Sequence, residues 1–183
     1  MSPRAPRADA VRNRERILIA ARDTFAQHGV DVPLDVVAEA AGVGPGTLHR
    51  HFPTKEALLA AVIAGRLDDL ADHAAQLGSD PQEDFFAFLA ELVDSGRGNL
   101  ALAAALGGLP NGLIEASAGR LSAALQALLD AAHRDGGVRQ DVDVAELHAI
   151  ITGVLATESR LPASRRGLGL EIAIRGLRST PNE

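Results

Sequence analysis

The apolar positions of this chain recur with the step of a helix. In the segment from Ala8 to His28, Ile17, Ala21 and Phe25 advance by four along one face, and Gly29 stands where a helix stop belongs. A short second helix is predicted from Leu34 to Ala41, where Leu34, Val37, Ala38 and Ala41 share one side behind Pro33. Gly42-Val43-Gly44 then forces a turn, and a third helix runs from about Pro45 to Phe52. Pro53-Thr54 ends it and offers Thr54 as the cap of a long fourth helix, Lys55 to about Leu77.

Further along, Asp80-Pro81-Gln82-Glu83 combines a capping residue, a first-turn proline and a glutamate, and opens a fifth helix to about Ser95. A weaker sixth stretch, Leu100 to Leu106, is broken by Gly107-Gly108-Leu109-Pro110. The seventh helix extends from about Gly112 to Arg134 and stops at Gly136-Gly137. Asp143 and Glu146 form a capping box for an eighth that reaches Ser159, and after Pro162 a last helix runs to about Arg178. Alternating strand patterns are absent, so the expected class is all-α. Two domains are expected: a helix-turn-helix module over residues 1–54, with a flexible basic arm at 1–7, and a helical body over 55–183.

The last two helices carry apolar residues on more than one side: Val144, Leu147, Ile151, Val154 and Leu155, then Leu168, Leu170, Ile172, Ile174 and Leu177. Such helices require cover on both faces. Gly153, Ala156, Gly167, Gly169, Ala173 and Gly176 permit close backbone approach, so a homodimer joined as a four-helix bundle is the expected solution. The alternative is a core helix pair of a monomer.

With 183 residues and 46% apolar content, the chain can bury one sizeable core or a small module beside a larger one. It has no cysteine, which excludes disulfides, thiolate zinc sites and cysteine nucleophiles and makes the cytoplasm the simplest compartment. No cleavable leader is evident. The longest apolar run, roughly Leu100 to Leu106, is far short of the ~20 residues that cross a bilayer, so a soluble protein without a membrane partner is expected.

The net charge of −6 is unevenly spread: residues 1–66 hold 9 Lys+Arg against 7 Asp+Glu, and residues 67–183 hold 9 against 17. Over the first 22 residues, Arg4, Arg7, Arg12, Arg14, Arg16 and Arg22 face only Asp9 and Glu15. That footprint suits a polyanion, or equally a solvated basic tail.

The third helix contains GTLHRHF, residues 46–52, with two of the chain's six histidines. At ~100° per residue, Leu48 and Phe52 fall on one side and define a buried face. Gly46, Thr47 and Arg50 look the opposite way, and His49 and His51 lie on opposite flanks. Histidines that diverge cannot share an ion, because ligation within a helix needs spacing of three or four, so a metal site here is excluded. No serine, cysteine or carboxylate lies within the segment to form a catalytic pair. What remains is a convex helix with an arginine-tipped outer face behind a glycine turn, the description of a helix-turn-helix recognition element. Thr47 and Arg50 can reach base edges or phosphates, the flanking histidines can bond the sugar-phosphate walls, and Lys55 adds a cation at the next helix start.

From Ile17 to Val62 the chain resembles the DNA-binding domain of the TetR family of transcriptional regulators: ILIAARDTFAQHGV, then VAEAAGVGPGTLHRHFPTKEALLAAV. The turn, the recognition helix and the Phe-Pro-x-Lys-Glu-x-Leu that follows are all in register. The resemblance implies an all-α homodimer that binds a double-stranded, palindromic DNA operator, most simply as a repressor released by a small-molecule effector, in the cytoplasm and associated with the nucleoid. By position it implies DNA-contact roles for Thr47, His51 and Lys55, and specificity positions at Pro45, Gly46 and Arg50. His49 stands where the family usually has tyrosine, so a phosphate contact there is expected to be weaker.

The resemblance further implies an effector pocket in the body, between the fifth and eighth helices. Candidates for its lining are Phe86, Leu89, Leu102, Leu106, Leu113, Leu121, Leu125, His148 and Thr152, with Phe85, Phe88 and their like also available; apolar residues at this spacing are mostly core. His148 and Thr152, one turn apart on an apolar helix, are the polar candidates. Without tyrosine or tryptophan, stacking recognition of an aromatic effector on those rings is excluded. No cofactor is called for. Two competing readings are a helical adaptor, which leaves the basic head and Arg50 without a purpose, and a metal-dependent enzyme using Asp69 and His73 with Asp68 and Asp72 beside them. A solvated acidic face explains the latter cluster as well.

Overall fold

The computed structural model of the chain describes residues 6–105 and 111–179, without the side chains of 6, 7, 97–105 and 163. Among the described residues there are eight α-helices and no strand: α1 (Pro6–His28), α2 (Leu34–Ala40), α3 (Pro45–His51), α4 (Lys55–Ala74), α5 (Pro81–Ala105), α6 (Gly112–Asp135), α7 (Val144–Glu158) and α8 (Leu168–Leu177). A short 3-10 turn, Ala163–Arg165, precedes α8, and one isolated antiparallel bridge pairs Val138 with Arg178. The all-α reading holds. Packing divides the chain into two compact units, Met1–Gly65 with Ala101–Ile114, and Arg66–Leu100 with Glu115–Glu183.

The first unit is built on the apolar stripes that the sequence displays. Ile17, Ala21 and Phe25 of α1, Val37 and Ala38 of α2, Leu48 of α3 and Leu58, Leu59 and Val62 of α4 form one buried cluster. A seven-residue helix such as α3 does not hold itself in water, so the burial of Leu48 and Phe52 in this cluster fixes it. Each is worth ~1.5–3 kcal/mol. α1 ends where Gly29 takes φ +78° and its N–H reaches the Phe25 carbonyl at 3.0 Å. Thr54 caps α4 through a 3.1 Å bond from the Ala57 N–H, as its position predicts.

The second unit has its own core, centred on Phe85, Phe88 and Leu89 of α5, Leu125, Leu128 and Leu129 of α6, and Leu147 of α7. Polar contacts tie its helices together around this core. Arg66 donates to Ser95 Oγ at 2.8 Å, and Arg120 of α6 bridges Asp68 at 2.6 Å and Asp72 at 2.7 Å on α4. His73 Nδ1 lies 2.7 Å from Glu91 Oε2. The capping box that opens α7 is formed in full, Asp143 Oδ1 accepting from Ala145 and Glu146 while Glu146 Oε2 accepts from the Asp143 N–H.

Four boundaries differ from the sequence reading, each for a local reason. α1 begins at Pro6, so two residues of the expected arm are helical; residues 1–5 lie outside the described part. α4 stops at Ala74 instead of Leu77, because the chain tightens into three-residue turns, Gln76 N–H to His73 and Leu77 N–H to Ala74, before Gly78 at φ +139°. The predicted fifth and sixth helices are one helix, α5. No proline interrupts them, and Gly96 serves packing: a Cβ there would lie 2.7 Å from Leu155 Cδ1. The last helix starts at Leu168, after Gly167 in the left-handed region, whose N–H is held at 2.7 Å by the buried Glu158 carboxylate. At α5 the box predicted from Asp80 and Glu83 is also rearranged: Asp80 Oδ1 accepts the Glu83 N–H at 3.2 Å, but Asp84, not Glu83, reaches back to the Asp80 N–H.

Candidate nucleic-acid interface

α2, the turn at Gly42 to Gly44, and α3 form the helix-turn-helix. Leu48 is 1% exposed and Phe52 2%, which fixes the orientation of α3. The opposite side is then open. Pro45, Gly46, His49 and Arg50 are exposed, and Thr47, His51 and Lys55 are half-buried. No heavy atom lies within 4 Å of where a Cβ on Gly46 would sit, so nothing in the chain itself fills that space.

Arg50 lies along this outer face. Its Nε donates to the Gly46 carbonyl at 3.1 Å and its Nη2 to Thr47 Oγ1 at 3.3 Å, which gathers the three outward residues into one polar ridge. His49 and His51 stand apart, as the helical rotation requires. The His51 ring packs on Phe52 at 6.5 Å between centroids, with the planes inclined by 47°. Arg14 of α1 also sits over that phenyl ring, 5.2 Å from its centroid. This contact had no local signal: Arg14 belongs to a run of arginines readable only as a basic stretch, and its aromatic partner is distant in sequence. Five cations or potential cations, Arg14, His49, Arg50, His51 and Lys55, thus belong to one small region of the first unit, the pattern expected of a surface that meets a phosphate backbone.

The matches to known proteins cover these elements and, separately, the helices of the second unit. Residues 17–62 match the family described as bacterial regulatory proteins, tetR family, and residues 80–179 match the C-terminal domain of SbtR-like transcriptional regulators. The chain belongs to the TetR family of transcriptional regulators. A TetR transcription regulatory protein from Mycobacterium vanbaalenii has a solved structure that is 39% identical and superposes with a TM-score of 0.74 over 96% of this chain and 100% of that one. A TetR transcriptional regulator from Streptomyces coelicolor is 32% identical, with a TM-score of 0.73 over 92% and 99%. An HTH-type transcriptional regulator from Staphylococcus aureus strain USA300 is 36% identical over 80 residues, and that match spans 43% of each chain. The chain is thus that of a transcriptional regulator of this family with a DNA-binding helix-turn-helix.

The sequence candidates for an effector pocket fall in several places in the described part of the chain. Phe86, Leu89 and Leu125 are in the second unit's core and Leu121 packs against it. Leu113 is exposed and belongs to the first unit. His148 and Thr152 are on the outside of α7, where Thr152 Oγ1 bonds the His148 carbonyl at 2.9 Å. The Leu102 side chain and all of Leu106 lie outside the described residues. A cleft of about 450 Å³ that no candidate lines opens between α6 and the start of α7, floored by Leu129 and Val142. Its polar rim is already engaged: Asp141 with Arg139, Asp143 and Glu146 in the capping box, and His133 Nε2 with the Arg139 carbonyl at 3.0 Å. The Arg139 guanidinium holds the Asp141 carboxyl below its ordinary range, first by hydrogen bonding.

The acidic face of α4 is likewise occupied. Asp68 and Asp72 raise the Arg120 pKa by their charge, and His73 pairs with Glu91. Among the described residues no three metal-ligating side chains converge. Within the same limits, no helix is long and apolar enough to cross a membrane.

Proposed function

We propose that this regulator is a repressor that binds a palindromic operator as a homodimer and leaves it when a small molecule occupies its body. The outer face of α3 supports the reading at the DNA end. Arg50 and Thr47 form its crest beside Gly46, whose missing side chain lets a duplex approach, so Pro45, Gly46, Thr47 and Arg50 face base edges. His49, His51 and Lys55 take the phosphates on either side. The working division is a DNA-binding domain over 1–54 and a sensing and dimerising body over 55–183.

α7 and α8 support the dimer. On α8, Ile172 is 63% exposed and Leu168 40%, and on α7 the small residues Ala149, Gly153 and Ala156 are exposed. Their removal from water by a second copy is the natural driving force, and two-fold symmetry of the protein then demands two-fold symmetry in the operator. Effector control needs only that the ligand bind one of two conformations more tightly, and α4, which begins with Lys55 and continues into the second unit, is the element through which that preference reaches the reader.

The reading is tested with the paired substitution Arg50→Ala and Lys55→Ala. Binding to duplex DNA from upstream of the protein's own or a neighbouring gene should weaken, and the slope of log affinity against log salt should become shallower by about one, for the phosphate contact of Lys55. Wild-type affinity and slope in the paired variant would remove α3 from the DNA interface. A screen for compounds that raise the melting temperature addresses the effector, since a ligand at 100 times its Kd adds ~2.7 kcal/mol.

A further inference from the structure

We propose that Arg16 of α1 is a positioning residue for the recognition helix, acting through the carbonyl of Gly42 in the helix-turn-helix turn. The proposal rests on the reading of α3 as the DNA reader. α2 ends in a Schellman turn: the Val43 N–H reaches the Ala38 carbonyl at 3.0 Å and the Gly42 N–H reaches that of Glu39 at 2.9 Å, with Gly42 at φ +62°. The Gly42 carbonyl accepts a 3.2 Å bond from Arg16 Nη2, which reaches across 26 positions of sequence. The left-handed backbone calls for glycine at 42, and a Cβ there would lie 2.5 Å from that same nitrogen, so a larger residue would push the guanidinium off the carbonyl.

The location of this bond gives it leverage. Only Val43 and Gly44 separate Gly42 from Pro45, the first residue of α3, and Gly44 caps α3 without a side chain of its own. The seven residues of α3 are therefore aimed by two things: the buried side chains of Leu48 and Phe52 beneath it, and the turn that feeds it. Buried side chains resist lifting of the helix, whereas rotation or sliding about its own axis is resisted at the turn. Arg16 ties that turn to α1, the longest helix of the first unit. A charged donor on a neutral carbonyl is a strong form of hydrogen bond, and a reader misplaced by about 1 Å loses bidentate base contacts before it loses phosphate contacts.

The test uses full-length protein and two duplexes of equal length: one that the wild type selects from a randomised duplex library, and one of scrambled sequence. Arg16→Met removes the donor and keeps the stem, and Arg16→Lys keeps a donor of similar reach. Arg16→Met should bind the selected duplex about tenfold more weakly, ~1.4 kcal/mol. Its affinity for the scrambled duplex and its salt slope should stay at the wild-type values, and Arg16→Lys should recover most of the loss. Equal losses on both duplexes with a salt slope shallower by about one would make Arg16 a phosphate contact and overturn the proposal. A lower melting temperature with unchanged affinity for the selected duplex would overturn it in favour of a purely structural role. If Arg16→Met does not fold, Arg16→Lys decides alone: wild-type discrimination between the duplexes supports the proposal, and lost discrimination with an intact fold contradicts it. Failure of the wild type to select any duplex would instead strike the reading of α3 itself.

Discussion

His49 stands where the resemblance to the family implies a tyrosine. It is exposed on a flank of α3, where an imidazole is shorter than a phenol and gives its hydrogen bond from a different depth. His49→Tyr should therefore tighten binding to a selected duplex several-fold, about 1 kcal/mol for one added hydrogen bond. Unchanged or weaker binding by fluorescence anisotropy would take His49 off the phosphate wall. Single residues were also where sequence was least informative. The faces of α3 follow from its period, so Leu48 and Phe52 could be assigned inward and Arg50 outward from the letters alone. Arg14 on Phe52 and Arg16 on Gly42 could not, because a guanidinium stem reaches partners that no spacing rule connects to it. Glu158 was missed for a similar reason. Its burial comes from the return of the chain through Gly167, which is set by the turn before α8 and not by α7.

At the scale of elements, capping chemistry was legible and helix continuity was not. Asp143 and Glu146 sit three apart before an apolar run, and the structure closes their reciprocal box. Asp143→Ala should cost about 1 kcal/mol and lower the melting temperature by roughly 2–4 °C, read by circular dichroism. The unity of α5 was hidden because glycine reads as a breaker until its neighbour is known, and Leu155, which needs the space at Gly96, comes from another helix. The turn before α5 makes a pH prediction. The Asp84 carboxyl is held below its ordinary value first by the Asp80 N–H and then by the Gly78 N–H. A carboxyl lowered in the folded state adds stability above its unfolded pKa and loses it as pH falls through the folded value. The stability difference between wild type and Asp84→Asn should thus be constant at neutral pH and shrink in acid. Chemical denaturation at a series of pH values measures it, and a difference that does not change between neutral pH and strong acid would refute the assignment.

For the whole molecule, the amphipathic pattern announced two things: an all-α chain and a pair of C-terminal helices with too much apolar surface for one copy. The first is observed; of the apolar residues on those two helices, Leu147, Val154 and Leu177 are buried within the one copy, and Leu168 and Ile172 of α8 are exposed. Ile172→Glu should shift the protein from dimer to monomer in sedimentation and weaken operator binding at low protein concentration, since each half then binds alone. A monomeric wild type would return these helices to the role of surface. An effector site could not be read from the letters, because cavity lining and core use the same apolar residues at the same spacing, and the two polar candidates, His148 and Thr152, are exposed. The central claim is that a dimer of this chain reads DNA through α3. Titration of a selected palindromic duplex with the wild-type protein at rising salt tests it most directly. Binding of two protomers per palindrome, with affinity falling steeply as salt rises and lost when one half-site is scrambled, is the predicted result. No binding at low salt, or equal binding to any duplex of that length, would contradict it.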